Sequence, residues 1–553
     1  MNIRKWQKGL LASVLLVGLL AACTSGGGGT VTELKDEKTK ATADEPGWKA
    51  DMEPITFDWY LNFSWFPNKW GTDMTSKYVT QKTGVSVNFI VPAGNENEKL
   101  NTMLASGKLP DFVTLGWGED AVKKMIEGKM VLPLNKLAEK YDPYLIKIAD
   151  PAKMSWYRQT DGNVYGYPNA SSSPQDYQKY GQNFVSNQTF MVRKDMYEAI
   201  GKPDMRTPEG FLKALQKVKE KFPEVNGQPL IPMGFHEFTD NGNYSFEDYL
   251  LNFLAIPHEK DGKLYDRRSD EEYIRWLKTF RQANEQGLIA KDIFIDKRPQ
   301  MEEKVAQGRY FAMLYQRSDF ATQQVMLYAK DPNSVYIAVD GPSNSKLDPP
   351  TLAGPGISGW TVTLISKTLI SKDVKDKERA IEFLTYLISE EGNRDLYLGE
   401  QGKLWDTVNG KPAFKPEVQE LLNKDRSAFD KKYGASFTFW MLMDTNMNLQ
   451  WAPPSVEPYK QPEDWTKGKT KSFSQYDNIK PTGTSTEGIA SGQIDKIWGK
   501  ALPKLLLASS DEEFDQLFAR FLEDRRKAGY DKVMAYQQKA YAENLKKIEE
   551  FTK

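Results

Sequence analysis

Apolar and polar positions alternate through "ITFDWYLNF" (Ile55 to Phe63), the period of a half-buried strand. The pattern then widens to a helical stretch ending near Lys82. It returns to alternation at Val85, Val87 and Phe89 and widens again as far as Ser106. "LPDFVTLGW" supplies a third strand-like run. Strand, helix, strand, helix, strand at this spacing predicts parallel βαβ units, which bind ligands at the carboxyl ends of their strands. The loops at those ends carry Trp65, Phe66 and Trp117.

A second entry into sheet and then helix reads from "NFVSNQTFMVRKDMYEAIG", 183–201. "RTPEGFLKALQKVKEKF" follows as a helix, with Thr207 as N-cap and Pro208 in its first turn. Its apolar stripe is Phe211, Leu215, Val218 and Phe222. Another helical stripe holds Tyr273, Trp276, Leu277 and Phe280. "GPGISGWTVTLISK" returns to strand pattern, and a helix with Ala380, Ile381, Leu384, Leu387 and Ile388 inward comes next. A Pro- and Trp-rich loop region runs from Trp440 to Trp465. The last amphipathic helix opens on a capping box of Ser510 and Glu513 and buries Phe514, Leu517, Phe518, Phe521 and Leu522. No fixed-period repeat is present. With about 500 residues outside the N-terminal leader, two lobes are the expectation.

The chain ends carry a different message. Arg4, Lys5 and Lys8 precede an apolar run from Leu10 to Ala22, too short for the about 20 residues that span a bilayer. This is the layout of an export signal. Leu20, Ala21, Ala22 and Cys23 resemble a bacterial lipobox, so residues 1–22 read as signal peptide and Cys23 as a lipidated N-terminus. Cys23 is the one cysteine of 553 residues, which leaves no disulfide and no thiol nucleophile for the folded body. Four glycines and a polar, charged segment follow, so residues 23–50 read as a flexible tether. Loss of the leader takes the formal net charge from −1 to −4, and a near-neutral surface gives no footprint for nucleic acid.

Candidate chemistry is sparse. Two histidines, His236 and His258, are the only ones, and no HExxH, GxSxG, P-loop or CxxC pattern occurs. "GTSTEG" (483–488) fails the nucleophile-elbow pattern and reads as a flexible loop. Carboxylate pairs for glycoside hydrolysis are visible only in three dimensions. A secreted glycan-active enzyme therefore stays open as an alternative, as does a wall-associated scaffold. The 14 tryptophans raise the question of aromatic platforms for sugar rings.

In order and spacing, "GNVYGYP", "FMVRKDM", "TPEGFLKAL", "EKVAQGRYFAML", "GWTVTLISK", "AIEFLTYLISEEG" and "EEFDQLFARFLEDRRKAGYDKV" resemble the family 1 extracellular solute-binding proteins of bacterial ABC importers, in the long LplA-like lipoprotein branch. The resemblance implies an α/β clamshell of the type II periplasmic-binding-protein class, with both lobes discontinuous. Residues 51–185 and 326–368 would form the N-terminal lobe, and 186–325 and 369–553 the C-terminal lobe. It also implies a monomeric binder that hands its ligand to membrane permease subunits from the outer face of the cytoplasmic membrane, and the sparse chemistry agrees with a binder more than with an enzyme. The resemblance together with the aromatics points to a carbohydrate, and the large size and aromatic surplus to an oligosaccharide. A peptide or other solute is the alternative ligand.

Position then selects Trp65, Trp117, Tyr315, Arg317 and Trp360 as ligand contacts. His236 and Glu237 join them from a loop resembling one that sugar-binding relatives use. Trp276 and Trp498 sit on helical stripes and read as packing, and His258 reads as a surface-loop residue. Some family members carry a calcium loop after the helix that starts near Thr207. Here "PEVNGQPLIP" offers too few oxygen ligands for that ion, so neither metal nor other cofactor is expected.

Overall fold

Two separate sheets organise the chain. The computed structural model describes residues 41–371, 374–452 and 455–552. In the first sheet, strand Ile55–Leu61 pairs in parallel with Val85–Ile90 and Phe112–Gly116. Strand Thr361–Ile365 adds antiparallel to Phe112–Gly116 and carries Gly166–Asn169 on its far side. The second sheet runs Tyr336–Ala338, Gln188–Arg193, Tyr310–Gln316, Ile231–Gly234, with only the last pair parallel. Strand Thr361–Ile365 is buried along its whole length, as expected of a strand covered on both faces.

The chain passes repeatedly between the sheets. Gly166–Asn169 leads out of the first sheet and Gln188–Arg193 begins the second. The return runs through a two-residue ribbon in which Leu352–Ala353 pairs in parallel with Thr470–Lys471. The final helix, Tyr530–Thr552, starts against Ala490 and Ile494 through Val533 and ends with Lys547 over the Trp156 ring of the first lobe. The discontinuous two-lobed architecture that the sequence implies is therefore present.

Local signals explain most elements. Thr207 accepts from the Gly210 N–H at 3.2 Å, a cap that stabilises helix Pro208–Lys221 by about 1 kcal/mol. That helix buries Phe211, Ala214, Leu215 and Val218 against the second sheet, in a core that includes the fully buried Trp276 and Trp498. Ser510 caps helix Asp511–Lys527, yet the expected box is incomplete. The Glu513 carboxylate accepts from the Ser509 N–H at 2.7 Å, one residue earlier than a capping box requires.

Several expectations need correction. Residues 326–368 do not form one piece of the first lobe, because strand Tyr336–Ala338 hydrogen-bonds into the second sheet. Helix Val374–Ile388 covers the first sheet, with Phe383 edge-on to Trp59, although residues 369–553 were assigned to the other lobe. An amphipathic stripe shows that a helix covers a sheet but not which sheet. The end of the expected tether is anchored to the folded body: Trp48 is buried edge-on between Tyr144 and Tyr386. The "GTSTEG" loop is a helix start, with Ser485 accepting from the Gly488 N–H to cap Thr486–Leu506. His258 is stacked on Tyr476 at 4.4 Å and packs against Phe473. The leader and Cys23 lie outside the described residues. Among those residues, no helix is long and apolar enough to cross a membrane.

Candidate functional site

The carboxyl ends of the first sheet present three tryptophans. Trp65 and Trp360 are 38% and 52% exposed, high values for the largest apolar side chain. Trp440 stacks on Trp360 with centroids 4.7 Å apart and planes 16° apart. Trp65 lies 6.2 Å from each, at 5° to Trp440 and 16° to Trp360. Three near-parallel indole faces form one platform, with Phe63 beneath Trp65 and Trp360.

Polar side chains set this platform. The buried Asn169 amide oxygen accepts from the Thr361 N–H and hydroxyl, and its NH2 donates to the Trp440 carbonyl at 2.9 Å. One side chain thus fixes both the strand that begins after Trp360 and the turn that carries Trp440. Gly359 precedes Trp360 at φ +63, and a Cβ there would collide with the Asn169 carbonyl oxygen. On the other side of the platform, the Ser64 N–H and hydroxyl both donate to Glu96 Oε1 at 2.8 Å, setting the turn that exposes Trp65. Lys153 is buried between Asp176 at 3.0 Å and Asp444 at 2.9 Å, pinning the chain just after Trp440. Burial opposes its charge, and the carboxylates outweigh that, holding the Lys153 pKa above the usual lysine value.

The second lobe faces the platform with one guanidinium set among carboxylates. Arg298, on helix Arg298–Ala306, lies 5.2 Å from the Trp65 ring. Its Nε donates to Glu302 at 2.7 Å, its NH2 group contacts Asp319 at 3.2 Å, and its backbone N–H donates to Glu237 at 3.3 Å. Behind it, His236 stacks on the buried Tyr315 ring at 3.9 Å. The Ser245 hydroxyl donates its one proton to the Leu314 carbonyl, so its oxygen accepts from His236 Nδ1 at 2.9 Å. That bond fixes the Nδ1–H tautomer and leaves Nε2 a bare acceptor, buried and without a partner. Burial, reinforced by the Arg298 charge, pushes the His236 pKa down to about 3, so the ring is neutral at physiological pH.

Of the residues selected from sequence, Trp65 and Trp360 share the platform, and Glu237, His236 and Tyr315 stand around Arg298 opposite it. Arg317 is held by Glu463 at 2.8 Å and by the Ser186 carbonyl, tying the end of its strand to helix Lys460–Thr466. Trp117 packs edge-on to Tyr157 at 4.4 Å, between two core clusters and apart from the indole platform. Trp440 lies in the Trp-rich loop to which the sequence assigns no role, and no local pattern marks Arg298 for the site.

The position of the possible calcium loop is a hairpin. Glu224–Val225 pairs with Gln228–Pro229, and Asn226 and Gly227 both take positive φ, the backbone of a type I′ turn. Asn226 donates to the Gln307 carbonyl, which leaves Glu224 as the one acidic side chain of the turn. These residues do not fit a calcium loop.

A family model for bacterial extracellular solute-binding proteins matches residues 74–404, and the chain belongs to that family. The Streptococcus pneumoniae fructooligosaccharide ABC transporter substrate-binding protein FusA is 25% identical over 313 residues, 53% of this chain and 54% of FusA. Lipoprotein LipO of Bacillus subtilis is 23% identical over 325 residues, 58% of this chain and 61% of LipO. These alignments span little more than half the length of the curated relatives. The fold extends further. The alginate-binding protein AlgQ2, solved without calcium ion, superposes with a TM-score of 0.65 at 20% identity, covering 90% of this chain and 100% of that one. FusA in complex with kestose gives 0.59 at 17% identity, covering 88% and 99%. The architecture is that of the type II solute-binding clamshells.

Proposed function

We propose that this chain is the substrate-binding lipoprotein of an ABC importer, capturing an oligosaccharide between its lobes and delivering it to a membrane permease. The observation that carries the reading is the exposed platform of Trp65, Trp360 and Trp440 facing the hydrogen-bonding groups around Arg298. Sugar rings present apolar CH faces ringed by hydroxyls, and a site for them pairs flat aromatic faces with polar groups that orient the hydroxyls. FusA, a relative by sequence and by fold, is a fructooligosaccharide-binding protein solved with kestose, which supports the carbohydrate class. Cys23 supplies the lipid anchor, so the folded body works on the outer face of the cytoplasmic membrane. The names of the matched relatives, a binding protein and a lipoprotein in a solute-binding family, support binding without chemistry.

A melting-shift screen against a glycan panel, followed by chain-length analysis of the recovered glycan, tests the reading. The expected result is a raised melting temperature with at least one oligosaccharide, recovered intact. A shortened glycan would make the protein an enzyme. No shift with any glycan, and a shift with peptides, would move it to the peptide binders.

A further inference from the structure

The groups around the indole platform carry a charge bias. Glu237, Glu302 and Asp319 surround Arg298 on the second lobe: two carboxylates meet its guanidinium and the third, Glu237, accepts from its backbone N–H. Two of them engage that guanidinium directly, and its positive charge is met from within the protein. On the first lobe, Glu96 backs the turn that exposes Trp65. Glu119 accepts from the Asn62 amide at 2.9 Å near the end of the same strand. Neither has a Lys or Arg ion-pair partner among the described residues. The neutral His236 adds no positive charge.

The bare Nε2 of His236 belongs to the same cluster. It is a lone-pair acceptor on a side chain only 9% exposed, fixed in that tautomer by Ser245 and lying beside Arg298. Nε2 is sealed from solvent in this conformation, so what His236 brings to the site is the absence of a positive charge and not a ligand contact.

We infer that the cleft takes an uncharged, hydroxyl-rich oligosaccharide and excludes glycans that carry carboxylate groups. This rests on the carbohydrate reading above and narrows it to one chemical class. Acidic sugars need cations with free donors; the guanidinium at the platform already has two carboxylate partners, and the neighbouring Lys297 ammonium donates to the Phe238 carbonyl at 3.2 Å. A sugar carboxylate on Trp65 would sit among like charges in a partly desolvated cleft, where their repulsion is strongest.

The test is calorimetric titration of the full folded chain at neutral pH with kestose, maltotriose, mannopentaose and the trimannuronate of alginate. Each neutral binder is then compared with its counterpart oxidised at C6 from alcohol to carboxylate. The expected result is binding of at least one neutral probe, none by the trimannuronate, and a loss of about tenfold or more on oxidation. The Glu237→Gln variant keeps an oxygen for the Arg298 N–H and should narrow that gap. An oxidised glycan that binds as tightly as its parent, or a gap unchanged in Glu237→Gln, overturns the charge selection while leaving the carbohydrate reading intact. Failure of all four probes and their oxidised forms overturns the carbohydrate reading itself.

Discussion

Trp360 and Trp440, far apart in the chain, stack at 4.7 Å because one buried side chain, Asn169, hydrogen-bonds beside both. The platform is therefore built by backbone placement, with Trp65 and Trp360 left partly exposed. Gly359 is the weak point of that placement. In Gly359→Ala the Cβ meets the Asn169 carbonyl oxygen in a left-handed backbone, and strain of this kind costs about 1–3 kcal/mol. Denaturant unfolding should show that loss, and titration should show glycan affinity falling about tenfold as Trp360 shifts. Unchanged affinity in the variant would separate Trp360 from the ligand.

Lys153 gives a stability prediction tied to the same loop. Lys153→Met leaves Asp176 and Asp444 facing each other with their shared cation removed. Breaking a buried pair in this way costs about 3–5 kcal/mol. Urea unfolding reads the loss directly, and a cost below about 1 kcal/mol would show that water replaces the ammonium group.

A pH dependence follows from two carboxyls under the turn that holds Trp48. Burial pushes Glu382 up to about 8, despite Arg379 at 3.4 Å, and pushes Asp142 up to about 6. The folded protein then keeps protons that the unfolded chain releases near 4.5 and 3.8. Their contribution is fully present below about pH 4 and is lost as pH rises toward about 8. The urea midpoint should be higher at about pH 5 than at about pH 8, and Glu382→Gln should flatten the difference. A wild-type midpoint that rises over this range would contradict the assignment.

Periodicity carried much of the fold. The alternation at Ile55–Phe63, Val85–Phe89 and "LPDFVTLGW" marks strands that do form the parallel part of the first sheet. Lobe membership was less legible, because helix Val374–Ile388 and strand Tyr336–Ala338 show the same local pattern whichever sheet they join. Of the proposed site, Trp65 and Trp360 were legible as residues beside strand ends, which is where the structure places them. Trp117 follows a strand in the same way, yet Tyr157 covers its edge. Arg298 has no such marker: Glu302 is its i,i+4 neighbour on the same helix, and its contacts with Trp65 and Asp319 are fixed only when separate elements meet.

The proposed function assigns membrane attachment to Cys23, separately from ligand binding. Cys23→Ser should release the protein from membranes while leaving its glycan affinity unchanged, since a single acyl chain already binds marginally and none binds less. Fractionation after salt washing checks this. Continued membrane retention would mean another anchor.

The account stands most directly on the tryptophan platform as a ligand surface, and on the separation of affinity from stability there. The measurement is a paired determination, for Trp65→Ala, Trp360→Ala and Trp440→Ala, of the dissociation constant for the glycan that binds and of the ligand-free melting temperature. An aromatic face contributes about 0.5–1.5 kcal/mol beyond its buried area, so each loss should weaken binding several-fold to a hundredfold. Because Trp65 and Trp360 are partly exposed, the ligand-free protein should melt close to wild type. Variants that melt far lower yet bind normally once folded would show that these residues are core, and would contradict the account.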